Sequence, residues 1–531
     1  MTRLHLALAL VPLLLLAACG GGSGGGPPLR FPQSAPDDLV AIVAEVFEDN
    51  GFHLVVADVQ GRGSAVLTQD VLQGISQIPQ DVVWSSDRRL LAFSASVDGF
   101  AEEEVFVVDP QRGDPASISG NLGGQASEQV AWQPGGRLLA FRTGGGGLPR
   151  RLFIVRSDGS NRIEVSGALP AGASGVDRFA WAPDGSRLAM TLDQQVPGQT
   201  ELVTVLANGT GRAQVSAPPP VAGGDVRRIV WAPDSSRLLF DGDLLVDNQD
   251  ELFSALPDGA GGRVRLNGNL PSGGDVFDFA WAPDASRVAF VAPEVGGEGR
   301  RLFTCLPDGS GRVAVSIAAV SGGNVGFFEW APDASRLAYQ GDVQVAGLSE
   351  AFVVLPTGLA HLQVSGGSVA AGDVGGPGGD PALAWAPSAL RLAFTGDLAV
   401  DDREELFSVP ATGGLRTQHS ASVVAGGRFD GRPLWSPLST QIAYEAEHVT
   451  PASEPFVVNA AAGAPVALAD TLGDGALLTL FDWSLDGSRL LVGASPVLTG
   501  GNEVRGYTPD ASGVVLLAGP FVGAITQVVV R

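Results

Sequence analysis

Two acidic loops hold the residues whose types and spacing could do chemistry. One reads DGDLLVDNQDELF over residues 241–253, the other TGDLAVDDREELF over 395–407. In register, Asp243, Asp247, Asp250 and Glu251 match Asp397, Asp401, Glu404 and Glu405. Carboxylates this close suit three tasks: holding a hard cation such as calcium, docking a basic partner, or keeping a rim solvated. Their spacing does not follow the EF-hand loop. The solvated rim is the first expectation, with no resident metal and no cofactor, and the other two tasks are its rivals.

Other chemistry is sparse. The single G-x-S-x-G string, Gly21 to Gly25, lies in a glycine-rich stretch without the strand and helix that shape a nucleophile elbow. His5, His53, His361, His419 and His448 stand far apart, and no two are at zinc-ligand spacing. A Ser-His-Asp triad would have to assemble from distant segments, and no motif marks one. Cys305, in RLFTCLPDG, reads as a small buried apolar residue, and two cysteines make no disulfide framework.

A repeat must position those loops. All nine tryptophans, Trp84, Trp132, Trp181, Trp231, Trp281, Trp330, Trp385, Trp435 and Trp483, recur about every 50 residues, with one gap of 55. Around Trp281 the unit reads DVFDFAW, SRVAFVA, RRLFTCL and RVAVS, separated by APDAS, PEVGGEG and PDGSG. Four short alternating strands per unit describe one blade of a β-propeller. Tryptophan can cover the seam between neighbouring sheets, and Pro-Asp with a small residue pre-sets the tight turn.

The arginine after that turn (Arg187, Arg237, Arg287, Arg336, Arg489) is expected to meet the turn aspartate (Asp184, Asp234, Asp284, Asp333, Asp486). The unit at Trp435 has Leu438 and Gln441 instead, and the unit at Trp385 sets Arg391 opposite Ser388. Residues repeated in nearly every unit belong to the fold, since an active site would be singular.

The first unit, read as strands over 37–46, 52–59 and 64–69, is one strand short, and ITQVVVR at 525–531 is one strand over. Pairing them would close a ring of about ten blades and remove both open edges. The alternative is two smaller propellers divided near 366–382.

Ahead of the repeat, Arg3 precedes an apolar run from Leu4 to Leu16, too short to span a bilayer, and then LAAC at 16–19. The ending resembles the bacterial lipoprotein box, which implies lipidation of Cys19. GGGSGGGPP at 20–28 follows as a flexible spacer. The expected division is a lipoprotein signal over 1–18, a lipidated cysteine and tether over 19–37, and a propeller over 38–531. The place implied is the periplasmic side of an outer membrane, or the cell surface.

The formal charge is −24, with 33 arginines and no lysine. So acidic a surface argues against nucleic acid, and against membrane binding through charge rather than through the lipid.

The string WAPDGSRLA at 181–189, followed by E-L-F, L-P-D-G and a short V-S strand, resembles the WD40-like PD40 repeat of TolB and of prolyl oligopeptidase-type propellers. The resemblance covers residues 38–531 and implies an all-β propeller used for binding. The expectation is therefore a scaffold for other envelope proteins, not an enzyme. Its rivals are a propeller that acts on a sugar or peptide in its central channel and a calcium-binding surface module.

Overall fold

The local rules act the same way in every unit. At Trp281 the strands Asp278–Trp281, Val288–Pro293, Arg300–Cys305 and Val313–Ala314 pair antiparallel in chain order. The first hairpin turn closes with Ala285 N donating to Ala282 O at 2.9 Å, and Ala285 sits at φ 60°. A left-handed residue after the turn lets the flanking strands keep their twist, and glycine takes the place in the units at Trp181 and Trp483.

Asp284 Oδ1 accepts from Ser286 Oγ and N at 2.7 and 3.0 Å, which holds its carboxyl below the usual range. The arginine does something else. Arg187 reaches Thr204 Oγ1 and Arg237 reaches Ser254 Oγ on the third strand, at 3.1 and 2.8 Å. The expected Arg–Asp pairs do not form among the described residues. The aspartate is already saturated by its own turn, while the extended arginine lies along the sheet.

The computed structural model describes residues 39–529 apart from short intervening segments, the longest being 69–79, 421–428 and 469–476. The signal, Cys19 and the tether lie outside the described residues. Every described element is a strand, and no described helix is long and apolar enough to cross a membrane.

Ten four-stranded sheets form one ring, a ten-bladed propeller. Blade 1 is built from Leu39–Glu45, Phe52–Asp58 and Ser64–Val66, completed by Ile525–Val529 beside the first of these. Blades 2 to 10 begin with the strands ending at Trp84 through Trp483. The 55-residue gap does not divide the ring, because Trp385 Nε1 bonds Glu329 O across it at 3.2 Å.

Two latches join neighbouring blades. On the inside, each indole N–H donates to the carbonyl just before the preceding tryptophan: Trp132 to Val83, Trp181 to Ala131, Trp231 to Ala180, Trp281 to Val230, Trp435 to Ala384 and Trp483 to Leu434, at 2.9 to 3.3 Å. Trp84 gives the same bond to Val529 O at 3.3 Å, so the closing strand stands where a tryptophan strand would. Trp330 is the exception; its Nε1 is buried without an acceptor.

On the outside, Arg162, Arg212, Arg312 and Arg416 reach backbone carbonyls of the blade before, at Ser119, Val165, Asn267 and Ser365. Three of them also lie over a phenylalanine of their own third strand, Arg162 on Phe153, Arg312 on Phe303 and Arg416 on Phe407. A planar guanidinium can do both at once, which an ammonium cannot. Between the latches, second- and third-strand aromatics stack, as Phe290 on Phe303 at 5.4 Å.

Candidate functional site

The loops between second and third strands share a face with the links that lead into each tryptophan strand, opposite the Pro-Asp turns. Their hydrogen bonds show it: Thr200 N, in the loop of blade 4, donates to Asp225 Oδ1 in the link to blade 5 at 2.7 Å. Asp250 N gives the same bond to Asp275 at 2.8 Å, Arg300 N to Asn324 at 3.0 Å, and Ser349 N to Asp373 at 2.5 Å. The face is thus laced from blade to blade through side-chain oxygens.

Within each loop a carboxylate also clamps the backbone. Asp243 accepts from Asp225 N at 2.7 Å and Asn248 N at 3.3 Å. Asp193 and Asp342 do likewise, the first from Ser174, Gly175 and Gly198, the second from Asn324 and Gly347. The clamped amide belongs to a residue at positive φ in a tight turn, Gly198, Asn248 or Gly347. Three turns of one shape follow, each starting at a valine: Val196, Val246 and Val345.

The eight carboxylates read from sequence therefore divide. Asp243 and Glu251 are buried; Glu251 accepts from Leu245 N and pairs with Arg265, both at 3.0 Å. Glu405 is buried in the same way and accepts from Ala399 N at 3.2 Å, and Glu404 accepts from Phe429 N at 2.9 Å. Asp397 is half-buried and accepts from Asp373 N. Asp247 is exposed to water, and Asp401 lies outside the described residues.

Asp250 is half-buried beside Arg227. Burial pushes its carboxyl up to about 6, against the pull of Arg227 and with help from Asp241, Asp275 and Asp243. That brings its titration nearer neutrality than an ordinary aspartate's. Among the described residues no group of three or more His, Cys, Asp or Glu side chains is arranged to hold a metal ion.

Sequence reasoning missed Asp193 and Asp342, and with them Glu201 and Glu350. All are buried or half-buried, and burial raises the carboxyls of Glu201, Glu350 and Glu405. The signal was periodic. Asp193, Asp243, Asp342 and Asp397 each stand twelve residues after a tryptophan, and Glu201, Glu251, Glu350 and Glu405 each stand twenty after. Repetition at fixed offset marks a fold device, by the logic that applied to the tryptophans.

Elsewhere, Ser408 Oγ lies 2.7 Å from His419 Nε2, with both side chains buried. No carboxylate orients the imidazole: His419 Nδ1 has no partner, and burial with Arg391 nearby pushes its pKa down to about 4. That pair is part of the core and lacks the third member of a triad. Cys305 is fully buried, and burial pushes its thiol up to about 12, which makes it unreactive. A cleft of about 410 Å³ opens on the loop face among Pro271, Asp275, Pro293 and Arg300, whose guanidinium lies 4.0 Å over the exposed ring of Phe277.

The fold and this face define a ten-bladed β-propeller with a carboxylate-laced loop face. No family model matches the chain, and no curated protein is similar to it at a significant level. Solved structures are similar in fold. A prolyl endopeptidase is 12% identical over 71% of this chain, with a TM-score of 0.37, and the match spans about half of that protein, 54%. Dipeptidyl peptidase 4 of Porphyromonas gingivalis is 13% identical over 78% of this chain and 64% of its own, TM-score 0.45. An oligogalacturonate lyase of Vibrio parahaemolyticus is 12% identical over 80% of this chain and 98% of its own, TM-score 0.34. The expectation that the chain is not an enzyme is corrected here: the three similar structures just described are enzymes by name, and that expectation is not kept.

Proposed function

We propose that the protein is a TolB-like, PD40-repeat propeller lipoprotein, held at the cell envelope through Cys19 and serving as a scaffold for other envelope proteins. One observation carries the reading: a lipoprotein-type LAAC ending at Cys19 and a glycine-rich spacer lead directly into a closed ring. A ring of ten blades offers two broad faces, and propeller loops vary freely on a fixed frame. The net charge of −24 suits partners with basic surfaces and disfavours nucleic acid.

Fractionation of cells carrying the wild type and Cys19→Ala tests the anchor. The wild type is expected with the membranes and the variant in the soluble fraction; equal distribution overturns the anchor. Crosslinking in intact cells through a photoreactive residue at position 247 tests the scaffold, with a discrete envelope-protein adduct expected. Turnover of peptides or oligogalacturonate by the purified chain, with no adduct formed, would replace the scaffold by an enzyme.

A further inference from the structure

We propose that the Pro-Asp-turn face of blades 7 to 9 is a membrane-contacting sector that seats four leucines in the bilayer to which the chain is tethered. The inference rests on the anchored reading above and adds a second, lipid-independent contact. Leu359, Leu390, Leu415 and Leu438 are 67%, 70%, 93% and 69% exposed, the most exposed large apolar side chains among the described residues. All four sit in turns that join first to second or third to fourth strands, so all project from one face.

They also form one sector. Leu390 and Leu415 belong to the two turns of blade 8, which touch through the bond from Ala411 N to Leu390 O at 2.9 Å. Ser388 N donates to Ser439 Oγ at 2.9 Å, joining the blade 8 turn to the one that carries Leu438. On the other side, Gly413 lies against Leu362 of blade 7, in the strand that follows the turn of Leu359.

Here the repeat departs from its own pattern. In the flanking blades 6 and 10 the same turns carry Asp284, Asp308, Asp486 and Asp510, and within the sector the first turn of blade 7 keeps Asp333. The turns at 355–360, 386–391, 410–416, 436–441 and 459–465 carry no carboxylate at all. Leu438 stands where the unit has its aspartate, and Leu390 where it has its serine. The Val tips of the opposite face repeat in phase with the blades, as a fold device does; the leucines do not, as a site does not. Contiguous exposed apolar side chains on a soluble domain mark an interaction surface.

Charge and chain path select the occupant. A membrane surface repels carboxylates, and in this sector five of the six turns of a chain of net charge −24 carry none, Asp333 being the one that stays. Leu39 enters blade 1 two residues before Ala41, the partner of Val529, at the end of the sheet where other blades have their Pro-Asp turn. The twenty residues from Cys19 to Asp38 reach at most about 70 Å, so the tether joins the ring on the leucine-bearing face. Apolar turn tips that dip into the acyl boundary add to a lipid anchor as a second signal does.

The test uses the full-length chain with Cys19→Ser, which removes lipidation, mixed with vesicles of zwitterionic phospholipid alone and with added anionic lipid. Cosedimentation with both is expected, with at least a tenfold loss of binding in Leu390→Ser/Leu415→Ser/Leu438→Ser at unchanged Tm. Binding that ignores these substitutions, or no binding to either vesicle, overturns the proposal. So does a wild-type dimer in sedimentation that the triple variant abolishes, because the sector would then belong to a second copy. Failure here leaves the Cys19→Ala fractionation untouched, so the anchor and the sector stand or fall separately.

Discussion

Asp250 shows how far one residue's surroundings decide its chemistry. It reads in sequence as one of a run of equal carboxylates, yet burial and three nearby aspartates lift it to about 6 while Asp247 stays in water. Its folded value lies above the ordinary 3.8, so the folded state holds the proton more tightly. The stability this confers is complete below about pH 4 and lost as the pH rises through 6. Asp250→Asn lacks that dependence. The stability of the wild type relative to the variant is therefore expected to fall between pH 4 and 7, by roughly 1 kcal/mol once solvent screening is allowed for. Urea denaturation at several pH values measures it, and an Asp250 carboxyl resonance with its midpoint near 4 would contradict it. No sequence spacing contained this, because the burial of Asp250 and its neighbours Arg227, Asp241 and Asp275 exist only after two strands and the link to the next blade have met around it.

Among the elements, the tryptophan strand is both the most legible and the most instructive. Its period gave the blade, and the seam-covering role of the indole follows from size alone. The hydrogen bond to the preceding blade was not visible, because its acceptor is a backbone carbonyl with no signature in the sequence. Trp231 makes the bond and Trp330 does not, although both rings are buried. Trp231→Phe is expected to lose about 1 kcal/mol more than Trp330→Phe, the net worth of one buried hydrogen bond. Equal losses in parallel thermal melts would mean that packing alone holds the seam. The expected Arg–Asp pair failed for a related reason. Sequence proximity brings opposite charges together on paper, but Asp284 is satisfied by Ser286 and the arginine runs outward along the sheet.

For the whole molecule, the repeat count, the ring and its closure were all readable, since an incomplete first unit and a surplus last strand admit one economical pairing. Which carboxylates turn inward was not, beyond the twelve- and twenty-residue offsets that mark them in hindsight. Removing residues 525–531 strips blade 1 of its inner strand and Trp84 of its acceptor. The truncated chain is expected to be cut by protease within residues 39–66 and to self-associate through the bared strand edge. Size-exclusion chromatography and limited proteolysis read both outcomes. A truncated chain as resistant and monomeric as the full one would show that the circle holds without its clasp.

That clasp also fixes a timetable. The oldest sheet in order of synthesis waits for the youngest strand, with the length of the whole propeller threaded between them. Were the chain exported unfolded, as the proposed envelope anchor requires, the delay would be useful. Blades could form against neighbours already delivered, and none could lock the circle before the closing strand arrived. The last strand to be made turns an open arc into a finished wheel.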